Sequence, residues 1–223
     1  MGDPSQGLAE LGWDDEWERT RIATGGVGRR ARVVRHDGVK VLVADGSDRM
    51  HATFPRSMSL AVGDWVLVDS ETVLELLPRR TELARDLGEH GSQVVGANID
   101  RVLVVFGVDR PLRRAKVLRF VAFAWDVGAE PVIVLSKCDL TDDHPSLISA
   151  IRTWDIEVPV VHVSTEQGIG LDRLRDLIRG RTATLIGESG AGKSSLVNAL
   201  MGDEIAWTGE VRSSDRRGRH TTT

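Results

Sequence analysis

Eight consecutive residues late in the chain, from Gly187 to Ser194, match the pattern Gly-x-x-x-x-Gly-Lys-[Ser/Thr] of a phosphate-binding loop. Glycines let backbone N–H groups turn toward phosphate oxygens, and a following helix adds the partial positive charge of its amino terminus. Lys193, also a candidate catalytic residue, is predicted to reach the β- and γ-phosphates of a nucleotide, and the Ser194 hydroxyl to hold Mg²⁺. The candidate phosphate-site residues are Gly187, Glu188, Ser189, Gly190, Ala191, Gly192, Lys193, Ser194 and Ser195.

A second motif, upstream, predicts which base is bound. Ser136, Lys137, Cys138 and Asp139 match [Asn/Thr/Ser]-Lys-x-Asp, with Ser136 in place of the more frequent Asn. The Asp139 carboxylate would accept hydrogen bonds from guanine N1–H and the 2-amino group, whereas adenine would leave it unpaired. The aliphatic stem of Lys137 can lie along the base, and Cys138 is expected to be inert. A solvated turn is the alternative, but the position after an apolar run favours base binding.

Two further segments belong to the candidate site. Ser164 and Thr165 end the next apolar run, where a backbone N–H could contact guanine O6; a plain strand-to-helix loop is the alternative. Near the carboxyl end, Thr222 is a candidate Mg²⁺ ligand of the switch type, and His220 could orient water. A polar, frayed terminus is the alternative for that segment.

The order of these motifs carries information of its own. An ordinary GTPase has the phosphate loop before the guanine-binding motif, and this chain has the reverse order. The inversion points to the small set of circularly permuted GTPases.

Strand–helix alternation after Asn98 predicts an α/β domain with a parallel sheet. Its apolar runs, predicted as buried strands, are Arg101–Val108, Pro131–Leu135, Val158–Val163 and Thr182–Ile186. Its predicted helices are Arg113–Trp125, Ser146–Trp154, Leu171–Ile178 and Ser194–Met201.

The part of the chain before Asn98 has a different pattern of apolar residues. Five short β-rich runs separated by turn signals predict a Greek-key barrel of the OB-fold type, with Trp65 and Phe54 in its core. These runs are Arg30–Arg35, Val39–Ala44, Met50–Phe54, Asp64–Val68 and Val73–Leu77. The predicted organisation is an N-terminal extension (1–29), the OB-fold (30–80), a polar linker (81–97) and an incomplete, circularly permuted GTPase domain (98–223).

Composition limits the remaining possibilities. The net charge is −4, so contact with nucleic acid would need a local patch. Arginines 29, 30, 32, 35, 79 and 80 could form one on the barrel, although a solvated strand face explains them equally well. One cysteine excludes a disulfide framework within these residues, and the acidic start is no signal peptide. No apolar run is long enough to span a bilayer, so we expect a cytoplasmic protein without membrane contact.

From about Arg30 to its last residue, the chain resembles the ribosome small-subunit-dependent GTPase A family (RsgA, also YjeQ). The resemblance rests on the barrel, the motif order, and the segments Ala97-Asn98-Ile99-Asp100, Gly128-Ala129-Glu130-Pro131 and Gly218-Arg219-His220-Thr221-Thr222-Thr223. It implies a monomeric protein that binds the small ribosomal subunit and its rRNA. It further implies hydrolysis of GTP to GDP and phosphate, stimulated by that subunit late in its maturation.

The chain departs from this family after Thr223. The family continues into a strand, a D-x-P-G box that binds through Mg²⁺, and a zinc-binding helical domain, whose Cys and His ligands are absent from this chain. We therefore expect a truncated product that hydrolyses GTP negligibly. The strand at Thr182–Ile186 would be left as an exposed edge, which favours self-association.

Two other functions remain open from the residues alone. One is an ATP-using P-loop enzyme, against which the Lys137–Asp139 motif argues. The other is a non-catalytic RNA- or ribosome-binding module with a residual nucleotide site.

Overall fold

A computed structural model describes residues 4–86, 91–141 and 144–201. The chain forms two compact units. Of the described residues, the first contains those up to 100 together with 127–129 and 180–182, and the second contains those in 101–126, 130–179 and 183–201. The main division after Asp100 lies close to the predicted start of the second domain at Asn98.

The first unit contains a closed five-stranded barrel. Its strands are β1 (Arg29–His36), β2 (Lys40–Ala44), β3 (Arg49–Thr53), β4 (Trp65–Asp69) and β5 (Thr72–Leu76). Their order around the barrel is β1-β2-β3-β5-β4, and β1 closes it by pairing antiparallel with β4. Small and β-branched side chains such as Ala31, Val43 and Val66 fill the interior, where alternate residues of each strand point inward. The predicted OB-type barrel is confirmed.

Two helices precede the barrel and pack on its outside. They are α1 (Pro4–Glu10) and α2 (Asp15–Thr24), and the Asp14 side chain caps α2 by accepting from the Trp17 N–H at 2.8 Å. Trp65 is fully buried, as predicted, but it packs outside the barrel interior with Leu8 and Trp17. The sequence analysis predicted only an N-terminal extension here. Both helices are short, and their buried residues pack against residues far away in the sequence, so they give little periodic pattern of apolar residues.

The segment predicted as a linker contains a β-hairpin. β6 (Glu82–Asp86) pairs antiparallel with β7 (Ser92–Ala97). The prediction of a polar linker at 81–97 did not include these two strands, because they are mostly polar and give little strand signal. Only a few of their side chains, such as those of Leu83 and Ala97, are buried.

The second unit is built on a parallel four-stranded sheet. Its strands are β8 (Arg101–Gly107), β9 (Glu130–Ser136), β10 (Val160–Val163) and β11 (Ala183–Gly187), in the order β10-β9-β8-β11. The helices are α3 (Arg114–Asp126), α4 (His144–Arg152), α5 (Leu171–Ile178) and α6 (Lys193–Met201). The predicted α/β unit is confirmed, with most element ends shifted by one or two residues. In the part of the chain that the structure describes, no helix is long and apolar enough to cross a membrane.

A buried ion pair lies beside the barrel and yields a stability prediction. The Asp64 carboxylate is fully buried and accepts from Arg79 Nε at 2.6 Å, Arg79 Nη2 at 2.8 Å and the Ala61 N–H at 2.7 Å. Asp64→Asn is expected to lower the free energy of unfolding by about 3 kcal/mol, since it removes the buried counter-charge of Arg79 and leaves only the exposed Glu82 carboxylate to pair with it. Urea unfolding measures this. Asp69→Asn, on the exposed end of β4, is the control. Equal urea midpoints for wild type, Asp64→Asn and Asp69→Asn would contradict the prediction.

Candidate nucleotide-binding site

The candidate site lies at one edge of the parallel sheet. Strands β8 and β9 are paired through Gly107 and Ser136, and β11 pairs with β8 up to Gly187. Parallel strands present their carboxyl ends at the same edge, so the segments that follow them converge there. The predicted phosphate loop and base motif are two of these segments.

The phosphate loop connects β11 to α6, and its glycines are required by its backbone. Gly187 has φ 150°, and a Cβ there would lie 2.2 Å from the Val105 carbonyl oxygen of the neighbouring strand. Gly190 and Gly192 have φ of 76° and 82°, in the left-handed region that other residues rarely adopt. The loop therefore makes a tight turn and a close contact with the neighbouring strand, and both need glycine.

Lys193, the first residue of α6, folds back over this loop. Its ammonium donates to the carbonyl oxygens of Glu188 at 2.8 Å and Gly187 at 3.3 Å. The cation is thus held at the loop itself, where the sequence predicts that phosphates bind.

The next two residues offer hydroxyl groups at the start of α6. Ser194 and Ser195 are both exposed, while Leu196 is buried and anchors the helix. An exposed hydroxyl beside a phosphate loop fits Mg²⁺, which prefers oxygen ligands. The other predicted ligand, Thr222, and the candidate water-orienting residue, His220, lie outside the described residues.

Ser136 joins the base motif to the phosphate loop. Its buried hydroxyl lies 2.6 Å from the Ala191 carbonyl oxygen and 3.1 Å from that of Phe106. A serine hydroxyl has one hydrogen, so these two carbonyls compete for it. The Ser136 side chain is therefore engaged within the protein.

Lys137 and Asp139 occupy the turn that follows β9. Lys137 has a left-handed backbone (φ 62°, ψ 36°), and its ammonium lies 2.8 Å from Asp109 Oδ2. This hydrogen bond keeps the pKa of the Asp109 carboxyl below its usual value. Asp139 is half-buried in a short 3-10 helix, and no hydrogen bond or ion pair from the described residues engages its carboxylate. That carboxylate is available to an external donor.

Cys138 lies between these two residues and is buried. Burial raises the pKa of its thiol, which keeps the sulfur protonated and unreactive. This agrees with the inert role expected for it.

The third predicted loop follows β10 and is compact. Ser164 is fully buried, and its hydroxyl accepts from the Gln167 N–H at 3.1 Å. Gly170 closes the loop with φ 72°, and a Cβ there would lie 2.0 Å from the His162 carbonyl oxygen. Thr165, beside Ser164, is half-buried.

The segment between β8 and the first turn of α3 also contacts the site, and sequence reasoning missed it. Asp109 pairs with Lys137, Arg110 Nη1 lies 3.4 Å from the Ser189 carbonyl oxygen, and Lys116 pairs with Glu188. Its position could have indicated a role in the site, because the segment follows the carboxyl end of a parallel strand, where such sheets bind ligands.

The arginines proposed as an RNA-binding patch are largely neutralised. Arg32 is buried and donates to the carbonyl groups of Leu11, Gly63 and Asn98, and burial lowers its pKa to about 10. Each of the other five arginines forms an ion pair with a carboxylate. These pairs are Arg29–Asp45, Arg30–Glu18, Arg35–Asp37, Arg79–Asp64 and Arg80–Asp14. Little unpaired positive charge is left on these six side chains.

The sheet order and the motif order together define a class of protein. A parallel sheet carries a Lys-x-Asp motif after one strand and, later in the chain, a phosphate loop after another. This is the fold of a circularly permuted P-loop GTPase. The RsgA GTPase family model matches residues 76–223, and the chain belongs to that family.

Similar proteins support this assignment. The chain is 39% identical over 232 residues to the small ribosomal subunit biogenesis GTPase RsgA of Streptomyces coelicolor, and 38% identical over 210 residues to that of Xanthomonas campestris. These matches cover 97% and 86% of this chain, but only 63% and 57% of the relatives. The chain therefore spans about three fifths of the length of these relatives.

Solved structures show the same fold. YjeQ from Thermotoga maritima matches with a TM-score of 0.64 and 28% identity, over 77% of this chain and 64% of that one. YloQ, described as a circularly permuted GTPase, matches with a TM-score of 0.57 and 24% identity, over 76% and 63%. The second likeness concerns the fold alone.

Proposed function

We propose that this protein binds GTP at the strand-end site, hydrolyses it to GDP and phosphate, and acts in maturation of the small ribosomal subunit. The observation that supports the proposal most directly is a contact between the base motif and the phosphate loop. The Ser136 hydroxyl lies 2.6 Å from the Ala191 carbonyl oxygen in the phosphate loop. Three residues after Ser136 comes Asp139, whose carboxylate is engaged by none of the described residues. The Ser136 hydrogen bond joins the segment that carries the proposed base acceptor to the phosphate loop, which supports a single nucleotide site.

The proposed roles follow from the chemistry of each group. Lys193 and the loop N–H groups bind the phosphates, while Asp139 accepts from guanine and Lys137 lies along the base. Ser164 and Thr165 offer a backbone N–H to guanine O6. Mg²⁺, when bound, neutralises charge on the β- and γ-phosphate oxygens, and Ser194 would be one of its ligands.

The residues proposed for the chemical step are Lys193 and His220, with Thr222 as the second Mg²⁺ ligand. Lys193 stabilises charge on the transferred phosphoryl group, and His220 would orient the attacking water. The proposed partner is the small ribosomal subunit with its rRNA, because relatives at 38–39% identity are named for biogenesis of that subunit. We further propose that the protein works in the cytoplasm and that its complete form is a monomer.

The test combines nucleotide competition with single-turnover hydrolysis. The purified chain is expected to bind GTP in preference to ATP and to hydrolyse it negligibly by itself, and added small ribosomal subunits should raise hydrolysis on the order of tenfold or more. Such a rise requires only about 1.4 kcal/mol off the barrier. The Lys193→Ala variant is the control for hydrolysis by contaminants.

Each other outcome of this test supports a different function. Preference for ATP would indicate an ATP-using P-loop enzyme. Tight GTP binding with no hydrolysis, even with small subunits present, would indicate a non-catalytic ribosome-binding module with a residual nucleotide site. Either result would overturn the proposal.

A further inference from the structure

We propose that Lys116 is a positioning residue that cancels the negative charge of Glu188, so that the phosphate loop can accept a nucleotide. This inference rests on the proposed nucleotide binding and goes beyond it, since Lys116 belongs to none of the motifs. Lys116 is the third residue of α3, and its ammonium forms an ion pair with Glu188 Oε1.

The identity of Glu188 makes this pair necessary. The phosphate loop binds anions through backbone N–H groups and the Lys193 cation, and Glu188 is the second residue of that loop. An unpaired carboxylate there would repel the phosphate chain, which carries several negative charges. Both members of the pair are about one-third exposed, at 33% and 28%, so water screens the charge only in part.

The pair also affects the neighbouring lysine. Lys193 donates to the backbone carbonyl oxygen of Glu188 at 2.8 Å, so its ammonium lies close to the residue that bears the carboxylate. If Lys116 were absent, the Glu188 carboxylate could compete for Lys193. The Lys116 pair therefore leaves the Lys193 charge for the phosphates.

The segment that leads into α3 makes a second contact with the phosphate loop. Arg110, six residues before Lys116, places Nη1 3.4 Å from the Ser189 carbonyl oxygen. Asp109, next to Arg110, forms the ion pair with Lys137 of the base motif. One short segment thus contacts both motifs, and Lys116 is its charge-compensating contact with the phosphate loop.

A double-mutant cycle tests this role. GDP and GTP binding is measured by calorimetry for wild type, Lys116→Ala, Glu188→Gln and the double variant. We expect Lys116→Ala to bind about tenfold more weakly, because one uncompensated charge faces a polyanion. Glu188→Gln should bind at least as tightly as wild type. The double variant should return to within about twofold of Glu188→Gln, because the repulsive charge is gone.

Two controls separate charge from packing. Arg114→Ala removes a cation from an exposed position on the same turn of α3, and it should leave affinity within about twofold of wild type. Lys116→Arg should retain binding. The deficit of Lys116→Ala should shrink as salt is raised from 50 to 500 mM, since screening weakens charge repulsion but not a packing defect.

The outcomes distinguish this inference from the proposed function. Wild-type affinity in Lys116→Ala, or a double variant as weak as Lys116→Ala alone, would overturn the charge-compensating role and leave the nucleotide site intact. A wild-type chain that binds no guanine nucleotide would overturn both proposals together.

Discussion

Replacing Lys193 with alanine is expected to weaken binding of GTP and GDP by about 100-fold or more. The Lys193 ammonium lies within hydrogen-bonding distance of two loop carbonyl oxygens, and Lys193 is the only lysine among the eight residues of the loop. Charge-assisted bonds to phosphate are among the strongest hydrogen bonds in proteins. Calorimetric titration of both proteins with GDP and GTP measures the effect.

The matched control for this prediction is Lys40→Ala. Lys40 is an exposed lysine at the start of β2 in the barrel, so its removal changes net charge by the same amount. Thermal unfolding with and without GDP gives a second measurement, because at one GDP concentration a tighter-binding ligand stabilises the folded state more and raises the melting temperature further. Equal dissociation constants for wild type and Lys193→Ala would mean that this loop is not the phosphate site.

Asp139→Asn is expected to move the base preference from guanine toward xanthine. The carboxylate accepts from guanine N1–H and the 2-amino group, whereas an asparagine amide can donate to the carbonyl group at position 2 of xanthine. Sites built around such hydrogen bonds reject the wrong partner strongly, because a buried polar group is left unpaired. We expect a loss of GTP affinity on the order of 100-fold and a gain in affinity for xanthosine triphosphate.

Competition binding with GTP, xanthosine triphosphate and ATP measures this change. Asp172→Asn is the control, since Asp172 is a highly exposed carboxylate on the first turn of α5. Unchanged GTP affinity in Asp139→Asn would remove Asp139 from the base site. Equal losses for all three nucleotides would instead indicate a folding defect.

Much of the fold could be predicted from the sequence because its signals are local. The buried strands of the parallel sheet are runs of apolar residues, and the phosphate loop is a contiguous pattern whose glycines suit its left-handed turns. For this reason the predicted strands of the barrel and the sheet agree with the structure to within one or two residues at each end, and α5 agrees at both ends. The hairpin β6–β7 and helices α1 and α2 escaped prediction, because a few scattered buried side chains give no clear period.

The sequence by itself determined which chemistry the chain carries, and the tertiary structure decided which groups perform it together. Lys116 and Glu188 are 72 residues apart, and Ser136 and Ala191 are 55 apart, so no local pattern could pair them. The same holds for the barrel arginines, whose spacing suggested a cationic patch until folding placed carboxylates beside them. Charge in a sequence is a property of single residues, but the electrostatic potential at a surface depends on every charge that folding places nearby.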